Sequence, residues 1–286
     1  MPTHKLIQIS DLHLSRNRAY TFANWQAILT YVNETQPDLV VNTGDYVLDD
    51  PEDTDDLVFG WEQMNRVTVP WRSLPGDHDI GGGPPAPRQR PEVPWLAHYA
   101  VTEERRNRYN ALFGEDHWVT QLGGWTLIGI NDLIFESGFD AEAAQWGFLA
   151  EQLQQAAARP VMLFMHKPPC VTSLDEVRNT TNAIPTPARQ RLWTLLNGSS
   201  VRVICTGHLH VHRMLNTMGI TVISAPTIMR GDNDYRSPNG LKINGMMEYT
   251  FDGEGVEFRV VQPEGIEWVT LPNGRRMDWP EKHADG

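Results

Sequence analysis

The chain has 286 residues, 40% hydrophobic and 21% charged with ten Trp, enough to build a substantial core, which excludes a largely disordered protein. Its 24 Lys and Arg against 36 Asp and Glu leave a net charge of -12, which repels a polyanion at long range and excludes a nucleic-acid coat or an anionic membrane surface as partner. With no run of ~18 apolar residues, no charged leader and only Cys170 and Cys205, a cytoplasmic protein with two reduced core thiols is expected.

Leu6 to Ile9 is an apolar run ending at Ser10-Asp11, and Phe22, Trp25, Ile28, Leu29 and Val32 follow at helical spacing. Leu39 to Val41 ends at Gly44-Asp45, ahead of a second helix marked by Leu57, Trp61, Met64 and Val67. Val69 to Leu74 then runs to Pro75-Gly76. This βαβαβ opening predicts a parallel sheet whose functional residues lie at the carboxyl ends of its strands. Gly81 to Pro94 holds three consecutive Gly and five Pro, so it is either a lid or an unstructured insertion.

Strands at Trp118 to Leu122 and Trp125 to Ile130 precede a helix from Asp140 to Ala158. Val161 to Met165 runs into His166, Thr186-Pro187 starts a helix with Thr as its N-cap, and Val201 to Cys205 runs into Thr206-Gly207-His208. After His212, alternating segments at Arg213 to Asn216, Ile220 to Ala225, Met246 to Phe251 and Val256 to Val261 predict an antiparallel finish. One domain over residues 1–262 is expected. The tail, 263–286, wraps the body, reaches a neighbouring subunit of a homo-oligomer, or frays.

Five segments place Asp or His just after a strand: Asp11-Leu12-His13, Gly44-Asp45, Gly76-Asp77-His78-Asp79, Met165-His166 and Gly207-His208-Leu209-His210. Any one alone is weak, since Gly-Asp after a strand is commonly a turn, but five in this order are specific. Three carboxylates and four imidazoles at neighbouring strand ends exceed what one tetrahedral Zn²⁺ takes and call for two ions. Mixed ligation suits Zn²⁺, Mn²⁺ or Fe better than an all-oxygen Mg²⁺ or Ca²⁺ cage. Such a pair, ~3.5 to 4 Å apart, can bind a bridging hydroxide and clamp a phosphoryl oxygen.

In order and spacing these segments resemble the calcineurin-like metallophosphoesterase superfamily, whose motifs run Asp-x-His, Gly-Asp, Gly-Asn-His-Asp or Glu, His, and Gly-His-x-His. The match covers about residues 5 to 225, and the layout is most similar to class III cyclic-nucleotide phosphodiesterases and glycerophosphodiesterases. The resemblance implies an α/β fold, a four-layer α/β/β/α sandwich with two mixed β-sheets. It implies two divalent transition-metal ions: Asp11, His13 and His210 would hold the first, Asp45 would bridge, and Asp77, His166 and His208 would hold the second. It implies that His78 meets a small-molecule phosphoester and protonates the leaving oxygen, with Asp79 orienting its ring.

One position departs from the pattern, because the family usually has Asn where this chain has Asp77. Two divalent ions bring four positive charges, of which Asp11, Asp45 and Asp77 remove three, one more than with Asn. The consequence is a weaker pull on a dianionic monoester, a relative preference for a monoanionic diester, or tolerance of trivalent Fe, unless Asp77 coordinates without changing specificity. A phosphodiesterase is the leading reading. A phosphomonoesterase or protein phosphatase is the second, and a metal-free interaction scaffold, which would typically have lost histidines, the third. Arg16, Asn17 and Arg18 either contact substrate or form a solvated turn, and His212 either touches substrate or begins the next strand. Asn131 and Asp132 stand behind the site or in a loop, and His98 and His117 border the Gly/Pro segment without an assignable partner.

Overall fold

The computed structural model describes residues 3–83, 99–176, 182–230, 240–253 and 255–269. The opening forms as its periodicity predicts, with β1 (His4–Ile9), α1 (Phe22–Thr35), β2 (Leu39–Asn42), α2 (Thr54–Met64) and β3 (Trp71–Ser73), the three strands lying parallel. Trp25, Ile28, Leu29 and Val32 recur at helical spacing and bury one face of α1. Asp53 starts α2 by accepting the Asp56 N–H. The third strand is shorter than the apolar run that predicts it, because Pro70 has no N–H for the ladder and Pro75 follows closely.

The chain continues through α3 (Asp77–Ile80), α4 (Glu103–Phe113), β4 (Trp118–Leu122), β5 (Trp125–Gly129), α5 (Asp140–Ala156) and β6 (Val161–Phe164). Then come α6 (Thr186–Leu196), β7 (Val201–Thr206), β8 (Arg213–Thr217), β9 (Ile220–Ser224), β10 (Met246–Asp252) and β11 (Gly255–Val261). Two expectations shift here. Pro185 rather than Thr186 holds the cap position of α6, so Thr186 is already helical. The residues Asp77 to Asp79 lie on the short helix α3, whose N-cap is Gly76, rather than at a strand tip.

One sheet has the order β11-β10-β1-β2-β3, and the other β4-β5-β6-β7-β9-β8. The closing strands therefore do not make one antiparallel sheet. In the second sheet β9 lies parallel to β7 with β8 antiparallel at the edge, while β10 returns to pair antiparallel with β1. Alternation within a segment fixes which residues face inward, but not which distant strand becomes the neighbour.

The space between the sheets is filled by Leu6, Leu39 and Val41 from one side and Leu127, Met162, Phe164 and Val203 from the other. Residues of α1 and α2 cover the outer face of the first sheet, and those of α5 and α6 the outer face of the second, giving the expected four layers. Cys170 and Cys205 are buried free thiols, both pushed up to about 12 by burial. Of the Gly/Pro segment, Gly82 donates its N–H to the Tyr99 carbonyl at 2.7 Å, and residues 84–94 lie outside the described residues. The start of the tail lies on the body, where Asn24 Nδ2 donates to Glu267 O at 2.8 Å, and residues beyond 269 lie outside the described residues. Among the described residues no helix is long and apolar enough to cross a membrane.

Candidate metal centre

Loops leaving β1, β2, β6 and β7 at their carboxyl ends meet at one place. Asp11 N–H donates to Gly44 O and Gly207 N–H to His166 O, each at 2.9 Å, so neighbouring loops are tied together. The approach is so close that a Cβ at Gly76 would overlap Asp45 Oδ1, and one at Gly207 would overlap Ser10 Oγ and Asp11 Oδ2. Five of the seven expected ligand residues have left-handed backbone, Asp11 (φ 54°), His13 (45°), Asp45 (59°), His208 (65°) and His210 (54°). That conformation costs a non-glycine residue roughly 1 kcal/mol or more.

The seven side chains fall into two groups of four that share one member. Asp11, His13, Asp45 and His210 form the first and Asp45, Asp77, His166 and His208 the second, each with its donor atoms within 4.8 Å of one another. Asp45 Oδ2 lies 3.6 Å from His13 Nε2 in one group and 3.4 Å from His166 Nε2 in the other. Asp77 Oδ1 is 2.9 Å from both His166 Nε2 and His208 Nδ1. His210 Nε2 lies 3.3 Å from Asp11 Oδ1 and 3.2 Å from His13 Nε2.

The far sides of two rings are fixed by backbone. His13 Nδ1 is 3.2 Å from Leu48 O and His166 Nδ1 is 2.7 Å from Thr43 O. Donating Nδ1–H to a carbonyl leaves the Nε2 lone pair free to coordinate.

Burial alone would raise all three carboxyls, yet each is held below the usual range. Burial is the largest single influence on each, and the facing groups override it only together, chiefly His210 and then His166 at Asp11, His166 at Asp45, and His208, Lys167 and His166 at Asp77. His13 is pushed down to about 3 by burial and then by the neighbouring His78, so its imidazole is neutral, as a ligand must be. Buried anionic oxygens and facing imidazole nitrogens form a donor set that fits Zn²⁺, Mn²⁺ or Fe.

His78 belongs to neither group. Its ring meets His13 edge-on at 4.5 Å between centroids and Tyr99 at 5.8 Å, and its buried Nδ1 has no hydrogen-bond partner among the described residues. The expectation that Asp79 orients this ring is therefore corrected. The Asp79 carboxylate accepts instead from the backbone N–H of Asp45 (2.9 Å), Tyr46 (2.8 Å), Val47 (3.0 Å) and Gly76 (2.7 Å). Burial and then Asp45 raise its pKa to about 7, against the lowering effect of the hydrogen bonds from Gly76 and Val47. The resemblance implied a side-chain pair, but one turn of helix places successive side chains on different faces.

Asp132 does comparable work on the second sheet, accepting the N–H of His166 at 2.6 Å and of Lys167 at 3.1 Å, with its carboxyl pushed up to about 6 by burial. Asn131 Nδ2 donates to Asp116 Oδ2 at 2.7 Å, and Arg106 grips the same carboxylate from Nε at 2.6 Å. Asp116 and Lys167 had no signal in the sequence, because neither sits in a motif that fixes its partner.

Other expectations resolve plainly. Arg16 pairs with Glu62 at 2.8 Å and Arg18 pairs with Asp49, so both have acidic partners of their own. His212 bridges to Leu241 ahead of β8, and His117 packs edge-on against Phe148 at 4.7 Å. His98 lies outside the described residues.

A protein of Arcobacter nitrofigilis named as a probable glycerophosphodiester phosphodiesterase is 26% identical over 229 residues, covering 76% of this chain and 75% of its own length. One of Moraxella catarrhalis named as a probable cyclic nucleotide phosphodiesterase is 24% identical, covering 80% of each chain. A human protein named as a serine/threonine-protein phosphatase is 24% identical over 67% of this chain and 57% of its own. Two solved structures share the fold. The GAP50 anchor of the Plasmodium inner membrane complex has a TM-score of 0.63 at 11% identity, covering 94% of this chain and 87% of its own. A dimetal phosphatase of Danio rerio has a TM-score of 0.58 at 11% identity, covering 90% and 95%. The family model for calcineurin-like phosphoesterases matches residues 4–212, a span that takes in all seven side chains of the two groups, and the chain belongs to that family.

Proposed function

We propose that this phosphoester hydrolase acts on a small-molecule phosphodiester at a dinuclear metal centre. The observation that carries the reading is Asp45, one carboxylate shared by two complete groups of Asp and His ligands. Asp11, His13 and His210 would hold one ion and Asp77, His166 and His208 the other, with Asp45 between them. When bound, the ion pair supplies Lewis-acid activation of water and charge stabilisation at the phosphoryl group.

The chain's own residues do the rest. The Asp45 carboxylate is aimed by the His78 N–H, which donates to Oδ1 at 2.9 Å and leaves Oδ2 toward the two rings. The His78 ring stands beside the first group without ligating, where it holds a proton for the leaving oxygen. Asp79 fixes the loop after β2 to the start of α3, keeping Asp45 and His78 in register.

Two observations favour a diester. The Asp77 carboxylate lowers the positive charge of the centre, which penalises a dianion more than a monoanion. The relatives matched over three quarters or more of this chain bear phosphodiesterase names. The phosphatase name of the human relative favours monoester hydrolysis as the second reading. A metal-free scaffold is disfavoured because all seven side chains are present and face one another. Comparing kcat/KM for bis(p-nitrophenyl) phosphate and p-nitrophenyl phosphate with excess Mn²⁺ tests the reading. The diester is expected to be preferred, and a faster monoester reaction would replace the diester reading with the second one.

A further inference from the structure

A catalytic imidazole is usually oriented by a hydrogen bond from one ring nitrogen to a carboxylate or carbonyl. His78 has no such bond at its buried Nδ1 among the described residues, and the carboxylate of Asp79 is taken by four backbone N–H groups. The contacts on the ring are aromatic instead. His13 meets it at 88° and 4.5 Å between centroids, and the partly buried Tyr99 at 86° and 5.8 Å, both within the range of about 4.5 to 7 Å at which perpendicular rings attract. His13 belongs to the first ligand group, so Tyr99 is the contact that serves His78 without another task in the centre.

The backbone around Tyr99 is tightly seated. Its carbonyl accepts the Gly82 N–H and the Val101 N–H donates to the Gly83 carbonyl, both at 2.7 Å, so this stretch runs beside the residues that leave α3, the helix carrying His78. A Cβ added at Gly81 would stand 2.5 Å from Ala100 O, and one at Gly82 would stand 3.1 Å from Tyr99 Cδ1. The consecutive glycines thus let the Tyr99 stretch lie directly on the end of α3. From the other side the buried Arg105 of α4 donates to the Ala100 carbonyl at 2.7 Å and to Glu52 Oε1 at 2.8 Å.

We infer that Tyr99 is a positioning residue for the leaving-group acid, holding the His78 ring by edge contact where a hydrogen bond would ordinarily hold it. The inference rests on the reading of His78 as that acid. A proton donor must meet the leaving oxygen within hydrogen-bond reach, so a ring free to swing loses rate only where a proton is needed. That dependence on the leaving group separates positioning from a general structural role, which would slow every substrate alike.

The test uses the purified full chain with excess Mn²⁺ and two diesters that differ only in the leaving group, ethyl phenyl phosphate and ethyl p-nitrophenyl phosphate. Tyr99→Ala is expected to lower kcat about tenfold or more for the phenyl ester and by less than about threefold for the nitrophenyl ester, with Mn²⁺ binding unchanged. Tyr99→Phe keeps the ring and should stay within about threefold of the unaltered protein on both. The double variant His78→Ala with Tyr99→Ala should be within about threefold of His78→Ala alone, since a positioning residue has nothing left to position. Should the Ala variant fail to fold, Tyr99→Leu, which fills the space without an aromatic ring, takes its place. Equal losses on the two esters, no loss on either, a Phe variant as slow as Ala, or a double variant slowed by the product of the single losses would each overturn the inference. If His78→Ala itself loses equally on both esters, the acid reading falls and the inference with it.

Discussion

Replacing Asp79 by Asn exchanges one oxygen for an NH₂ group and leaves shape and volume almost unchanged. In the folded protein each carboxylate oxygen receives two backbone N–H groups, Tyr46 and Val47 on Oδ1 and Asp45 and Gly76 on Oδ2. Whichever way the amide is turned, its NH₂ faces two N–H donors that have lost their acceptor. A buried donor left unsatisfied costs about 1–3 kcal/mol, so the substitution is expected to destabilise by about 2–6 kcal/mol. Against a typical net stability of about 5–15 kcal/mol that is a large loss. Urea unfolding followed by far-ultraviolet circular dichroism reads it directly, as a lower midpoint with an unchanged slope. The same variant should weaken Mn²⁺ binding, since the loop carrying Asp45 is released. A stability change within about 0.5 kcal/mol would show that the four N–H groups find other partners and that Asp79 does not hold the loop.

Three further expectations follow from the same geometry. His78→Ala should lower turnover of an alkyl diester by on the order of 10² to 10⁴ with metal content intact, and lower it much less for a nitrophenyl leaving group that needs no proton, whereas equal losses would assign His78 another role. His208→Ala removes one ligand from the second group only, so Mn²⁺ titration should show one site weakened by at least about tenfold and the other retained. Asp116 is depressed from 3.8 to about 2 because hydrogen bonds from His117, Arg106 and Asn131 together override burial. A lowered carboxyl stabilises above its unfolded pKa and loses that contribution as pH falls through the folded one. Asp116→Asn should therefore cost about 2 kcal/mol near neutrality, with the cost shrinking between pH 3.8 and about 2, and a gap that persists below that window would refute the assignment.

The strand-end placement of Asp11, Asp45, His166 and His208 was legible because short apolar runs followed by Gly or Asp specify where a buried parallel strand stops. The partition of the seven ligands was legible only through the resemblance, since spacing along the chain carries no information about which loops adjoin. Asp79 shows why the remainder was hidden. Its neighbours are N–H groups, which every residue possesses, so no side-chain pattern announces them. Lys167 was hidden for a related reason, as its ammonium meets a carbonyl, whereas Asp132, expected behind the site or in a loop, does stand behind it and accepts from two amides. The split of the closing strands between two sheets was set by the interior, where Met247, Tyr249 and Phe251 of β10 pack between the layers.

The left-handed turns at Asp11, His13, Asp45, His208 and His210 also bear on how this protein can change over generations. Each of these positions would be more comfortable as glycine or asparagine, and only the side chain's chemical task keeps a bulkier residue there. Under selection for heat resistance alone, these loops would be among the first places to yield improvement, and each improvement would erase a ligand. Robustness and catalytic competence therefore pull in opposite directions at the same residues. A descendant freed from its reaction should carry Gly or Asn in these turns while its two sheets stay recognisable.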